Sequence, residues 1–260
     1  MSVFDWLRFL RPSSVAIESV SASECGLVRK ENEDHVFVDA GHAVFCVADG
    51  MGGGSEGGTA SAFMCEEMRR AASVHGFLHR REAVEKAVSA ANVRIRDYAA
   101  KKGFRQMGTT LAVLMFDPDN PLHAAAWHVG DSRIYCVRRG RAVALTRDHT
   151  VGSQLGSVAT GPLADELRSR LHPLSHVLTR SIGTEERVSG EWTEVGVEQG
   201  DVFVVCSDGV HDIISDSLLG EIVSSFEDLN AVSVRLRGEI LRLGAPDNYS
   251  FLLVRPGGRL

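Results

Sequence analysis

Apolar residues recur along this chain with two periods. Ala60, Phe63, Met64, Met68 and Ala71 fall three and four apart, as do Val84, Ala87, Val88, Ala91, Ile95 and Tyr98. That spacing predicts two amphipathic helices, separated by a break between His75 and Arg80 that contains Gly76. Val232, Leu236, Ile240 and Leu243 predict a third helix closed by Gly244 and Pro246, and a shorter one is expected within 215–226. Short apolar or alternating runs read as strands at 15–22, 35–38, 43–48, 109–116, 122–129, 133–138, 141–145, 191–197, 202–206 and 251–254. Tight links such as Arg139-Gly140 and Glu198-Gln199-Gly200 favour antiparallel neighbours. The order is strands, two helices, many strands, helices and a last strand, without the regular alternation of a doubly wound sheet. The expected class is therefore α+β, with mostly antiparallel sheets and helices packed outside them. Residues 150–184 fit neither period. Gly152, Gly156, Gly161, Pro162 and Pro173 mark them as a long insert of short helices and loops over a functional face.

Composition narrows the function classes. At 260 residues and 44% hydrophobic, the chain can bury a sizeable core unaided. Residues 13–256 read as a single domain behind an N-terminal tail, 1–12. Within that tail Phe4, Trp6, Leu7, Phe9 and Leu10 leave a small docking helix as the alternative. With 28 basic and 34 acidic residues, the net charge of −6 provides no basic stripe for a nucleic-acid partner. A bilayer span takes about 20 apolar residues, and no run here approaches that, so no transmembrane segment is expected. The 5 cysteines, at 25, 46, 65, 136 and 206, are odd in number and contain no CxxC pair. They point to a reducing, cytoplasmic setting.

The most unusual stretch, 49–58, supports three readings. Gly52, Gly54 and Gly57 satisfy GxGxxG between a strand and a helix, as in dinucleotide-binding units. That reading requires a second strand with an acidic residue about 20 positions on, where this chain is still helical. Gly53-Gly54-Ser55-Glu56-Gly57 matches the GxSxG nucleophile elbow, but six residues separate Ser55's segment from the apolar run that should feed it. The third reading places the weight on Asp49. Four aspartates, Asp49, Asp131, Asp208 and Asp247, flank apolar runs. Strand ends can converge at one rim, where clustered carboxylates need protons or cations to coexist. Hard oxygen ligands without a Cys or His cluster favour magnesium or manganese. Asp-Gly is also a common turn dipeptide, and composition alone leaves turn and metal site both open.

From 26 to 254 the chain resembles the metal-dependent PPM-type protein serine/threonine phosphatases, the PP2C family, in their bacterial form. The resemblance rests on Gly26-x-x-Arg29-x-x-Asn32-Glu33-Asp34, Val47-Ala48-Asp49-Gly50-Met51-Gly52-Gly53, Met107-Gly108-Thr109-Thr110, Val129-Gly130-Asp131-Ser132-Arg133, Leu145-Thr146-Arg147-Asp148-His149, Cys206-Ser207-Asp208-Gly209 and Asp247-Asn248, in the family's order. It implies an αββα sandwich of two stacked antiparallel sheets, with two Mn2+ or Mg2+ ions at one end and a weaker third. Asp49 would bridge both ions, the Gly50 carbonyl would bind the first, and Asp208 and Asp247 would hold the second. Asp131 would join Asp208 at the third. Glu33 and Asp34 would orient water, Arg29 would grip the phosphate, and the insert after His149 would be the family's variable flap. Asp148 and His149 themselves read better as a structural turn pair than as catalysts.

The resemblance implies hydrolysis of phosphoserine and phosphothreonine in proteins by a hydroxide bridging the two ions, opposing a bacterial Ser/Thr kinase. Two departures stand out. Met51 occupies the position where eukaryotic relatives place a histidine general acid, and Gly54 occupies another where many bacterial members carry histidine. The leaving group is therefore expected to take its proton from a metal-bound water. The last motif has Ser250 where threonine is usual, which keeps the hydroxyl.

Overall fold

The computed structural model describes residues 17–52, 55–74, 76–120, 122–160 and 172–257. The N-terminal tail with its docking-helix alternative, Gly53, Gly54, and Gly161 and Pro162 of the insert lie outside them.

Five-residue and six-residue apolar runs need cover on both faces, and two stacked sheets with helices outside supply it. One sheet runs β1 (Ile17–Glu24), β12 (Tyr249–Pro256), β11 (Val202–Cys206), β8 (Arg133–Arg138), β9 (Arg141–Ala144). The other runs β10 (Glu191–Gly196), β7 (His123–Val129), β6 (Leu111–Phe116), β3 (Val44–Ala48), β2 (His35–Asp39). Every pairing in both is antiparallel. The expected α+β class, an αββα sandwich, is the architecture observed.

Alternation within each strand divides the apolar residues among three layers. On β3, Phe45 and Val47 face the middle of the sandwich, with Leu114 and Phe116 of β6, Phe203 and Val205 of β11 and Leu252 of β12. Phe116 meets Phe45 and Phe203 edge to face, at 6.2 and 5.3 Å between ring centres. Val44, Cys46 and Ala48 point the other way, onto α1 (Ser55–Ala71) and α2 (Phe77–Lys102) through Met64, Met68, Val88 and Ile95. On the opposite side α4 (Asp208–His211), α5 (Asp216–Ser224) and α6 (Leu229–Arg242) cover Val204, Cys206, Phe251 and Leu253.

The two long helices begin earlier than the apolar spacing indicates. The run at 109–116 is two strands: Gly108–Thr109 (β5) pairs with Gly50–Met51 (β4) in a small ribbon, and the main sheet resumes at Leu111. The insert holds α3 (Val151–Val158) and a 3-10 turn, Pro173–His176. Its two ends zip together where Val151 N–H donates to the Val177 carbonyl and Thr179 N–H to that of His149, at 2.9 and 2.7 Å. Among the described residues no helix is long and apolar enough to cross a membrane.

Candidate metal and phosphate site

Strand register brings the acidic residues together. His35 pairs with Ala48 across β2 and β3, so Asp34 and Asp49 leave the sheet side by side. Val47 pairs with Ala112, which places Asp49 opposite Thr110. There Asp49 N–H donates to Thr110 Oγ1 at 3.0 Å, and Thr110 N–H donates to the Asp49 carbonyl at 2.8 Å. In the second sheet Cys206 pairs with Phe251, so Asp208 emerges beside the segment that carries Asp247. Asp131 follows the end of β7 at the same rim. A cleft of about 940 Å³ opens there, lined by Arg29, Glu33, Asp49, Asp131, Asp208 and Asp247 among others. Gly50 also lines it.

The glycines after Asp49 and Asp208 permit close approach rather than a turn. Neither has a positive φ. A Cβ on Gly50 would overlap the Gly57 carbonyl, and one on Gly209 would overlap the Asn248 carbonyl oxygen. Neither Asp-Gly pair forms a turn, since Gly50 opens β4 and Asp208 with Gly209 opens α4. Likewise α1 leads into another helix, not a second strand, so the dinucleotide pattern lacks its βαβ frame. The GxSxG segment opens α1 seven residues after β3 ends, with only the two-residue ribbon strand β4 between them, so no strand of the main sheets runs directly into an elbow at Ser55.

Electrostatically the rim is strained. Burial, then the charges of Asp34, Asp208 and Asp131, push the Asp49 carboxyl well above the usual range. Burial and then Asp208 push Asp131 well up. Burial raises Asp208, although His211 works in the opposite direction. Asp34 is pushed up to about 7 by burial, against a hydrogen bond from Ser207 Oγ to its Oδ2 at 2.7 Å. Its other oxygen, Oδ1, is buried without a protein partner. Glu33, raised by burial, accepts from Gly57 N–H at 3.2 Å.

Such a set of crowded oxygens, one of them orphaned, fits hard divalent cations, which would relieve the repulsion and leave Oδ1 of Asp34 to a water. Asp247 and Arg29 are arranged differently from the rest. Asp247 is half-buried at the cleft edge and accepts from Arg29 Nη2 at 2.6 Å, and this bond holds the guanidinium pKa above its ordinary value.

Asn248, the second residue of the last motif, accepts from Glu33 N–H and donates to the carbonyls of Cys25 and Glu31, which fastens the Arg29 loop to β12. Other residues in this site were not legible from motifs. His211 Nε2 donates to the Asp131 carbonyl at 2.9 Å. Its sequence signal is its position three residues after Asp208, on one turn of helix. His176, Thr179 and Arg180 of the insert line the cleft wall, as does Met51. Asp148 and His149 are structural, as their turn-pair reading has it. Asp148 takes a two-pronged ion pair from Arg133 at 2.7 and 2.5 Å, and His149 Nδ1 accepts from Gly130 N–H.

A two-sheet sandwich with a carboxylate-lined cleft at one rim fits the class of metal-dependent hydrolases. The family model described as Protein phosphatase 2C matches residues 28–242, and the chain belongs to that family. Protein phosphatase PhpP of Streptococcus pneumoniae is 30% identical over 238 residues, covering 89% of this chain and 94% of that protein. Among solved structures, PppA, a key regulatory component of T6SS in Pseudomonas aeruginosa, superposes with a TM-score of 0.84 at 32% identity, over 94% of this chain and all of that one. The catalytic domain of serine threonine protein phosphatase PstP, in complex with 2 manganese ions, superposes at 0.79 with 28% identity, over 94% and 99% of the two chains.

Proposed function

We propose that this chain hydrolyses phosphoserine and phosphothreonine in proteins, using two Mn2+ or Mg2+ ions and a weaker third, and that it opposes a Ser/Thr kinase in the bacterial cytoplasm. The observation that carries the reading is the meeting of Asp49, Asp131, Asp208 and Asp247 in one cleft from distant strands. In this reading Asp49 would be held in common by two ions, the Gly50 carbonyl would serve the first, and Asp208 and Asp247 would serve the second. Asp131 joins Asp208 at the third. When bound, such ions acidify water into a nucleophile and neutralise phosphate charge.

The chain's own groups do the positioning. Glu33 lines the cleft as an acceptor for water, and Asp34, buried behind the rim and outside the cleft lining, keeps one oxygen, Oδ1, without a protein partner. Arg29 is half-exposed and offers a planar fork to two phosphoryl oxygens, which a lysine cannot match. Its present partner is Asp247, which would also hold an ion in this reading, so the guanidinium and a cation would compete for that carboxylate. Met51 at the cleft wall carries no proton. The departing hydroxyl of the substrate is reprotonated from solvent rather than by a histidine next to Asp49. The five cysteines form no disulfide, which suits the reducing compartment.

The test is hydrolysis of an aryl phosphate and a phosphothreonine peptide before and after chelation, with added manganese, for the native chain and Asp208→Asn. Chelation should abolish turnover and manganese should restore it. The variant should stay folded with kcat reduced about 100-fold or more, as expected when electrostatic stabilisation of the transition state is removed. Undiminished turnover in chelator would refute the reading.

A further inference from the structure

The insert places an imidazole, that of His176, beside the carboxylates of the rim. His176 ends the 3-10 turn Pro173–His176, and its imidazole lies with the carboxylates of Asp208 and Asp212 so that one ligand atom from each falls within 4.8 Å of the others. Asp208 opens α4 and Asp212 stands immediately beyond it, four residues on and so on the same face. His176 Nδ1 is 3.2 Å from Asp212 Oδ2. The imidazole borders both the main cleft and an adjoining 200 Å³ pocket shared with Asp131, His211 and Asp212. Among the described residues it is the histidine lining the main cleft. Its backbone is fixed by the pairing of the insert's two ends that starts at Val177.

The other histidine cluster, His128, His149 and Glu191, is a different case. Its two rings are stacked at 4.6 Å and 20°, so their in-plane lone pairs cannot meet at one ion. Each ring already serves a neighbour, His128 the Arg147 carbonyl and His149 the Gly130 N–H.

We propose that His176 ligates a divalent ion together with Asp208 and Asp212, so that the insert is fastened to the catalytic rim through a metal–imidazole bond. The proposal rests on the metal-dependent reading above and goes beyond it in two respects. A borderline nitrogen donor favours Mn2+ over Mg2+ at that position, whereas a purely carboxylate and water site discriminates less. It also couples occupancy of this ion to the position of the segment that walls the cleft.

The experiment is pulsed EPR on the full-length chain loaded with Mn2+, with titration calorimetry alongside. The native protein should show nitrogen coupling typical of imidazole, altered by 15N-histidine labelling and absent in His176→Ala. Calorimetry should show the weakest-bound Mn2+ lost or weakened roughly 100-fold in His176→Ala and comparably in Asp212→Asn, on the scale expected for deleting groups at a metal site. Mg2+ binding should change far less in His176→Ala than Mn2+ binding does. Manganese that binds and supports turnover but shows no nitrogen coupling would overturn the inference and leave the phosphatase reading intact. Failure to bind manganese at all would overturn both.

Discussion

Gly50 and Gly209 show how much of the site depends on an absent side chain. Each follows a rim aspartate, and each is pressed against a carbonyl from another segment, Gly57 in one case and Asn248 in the other. Gly209→Ala should therefore displace β12 from α4 and cost about 1–3 kcal/mol, the usual range for overpacking a tight site. Denaturant unfolding of the metal-free protein would measure it, and weaker manganese binding should accompany it because Asp208 and Asp247 flank the strained contact. An unchanged midpoint would show that the contact yields freely. Arg29→Lys probes a different property. The charge survives but the planar fork does not, so KM for a phosphopeptide should rise about tenfold, the scale of one lost charge-assisted hydrogen bond. The aspartates at this scale were legible because motif order marked them. His176 and His211 were not, since a lone histidine in an irregular insert or a short helix has no periodic signature.

The strands raise a different question. Sequence reading located β8 and β11 to the residue, because each is a run of Val, Ile, Phe or Tyr closed by polar residues. It merged β5 with β6, because Thr109 and Thr110 are as β-favourable as the run they precede. The division is tertiary. Thr110 leaves the ladder to cap Asp49, and its hydroxyl also meets Ser132 Oγ at 2.7 Å. Thr110→Val keeps the shape and removes both partners, leaving the Asp49 N–H unsatisfied. A loss of about 1–3 kcal/mol is expected for such a buried donor. Chevron or equilibrium unfolding would detect it, and manganese affinity should fall in parallel because one of the bonds that position Asp49 is lost. The start of α2 escaped prediction for a related reason. Its cap is Gly76, which makes no side-chain bond, so packing of Phe77 against the sheet sets the boundary instead. The two-residue β4 has no local signal and exists only through its pairing with Gly108 and Thr109.

Across the whole molecule, the rim and the sheet behind it respond to pH with opposite signs. Asp34, Asp49, Asp131 and Asp208 all titrate above the unfolded carboxylate value, Asp34 at about 7. A raised carboxyl holds a proton in the fold that the unfolded chain has released. Its contribution is fully present below the unfolded pKa and is lost as pH rises through the folded one. From 3.8 to about 7, Asp34 alone represents on the order of 4 kcal/mol. The stacked imidazoles act in reverse. Burial lowers His128, and burial lowers His149 to about 4, so the unfolded state takes up protons first and stability falls as pH drops below the ordinary histidine value of 6.5. Between about pH 4 and about pH 6.5 the four raised carboxyls outnumber the two imidazoles, which offset them only in part. The metal-free protein should therefore lose stability as pH rises from about 4 to about 7, an alkaline limb measured by thermal melts in chelator, while the imidazoles supply an opposing acid limb from about 6.5 down to about 4. Manganese should abolish the alkaline limb, since it binds the ionised cluster and adds its own linkage term, and it should leave the acid limb in place. Asp49→Asn removes one charge from the crowd and should flatten the alkaline limb without metal. Were that limb to persist unchanged in Asp49→Asn, the repulsion would lie elsewhere in the fold, and the convergence of strand ends would no longer explain why the rim needs cations.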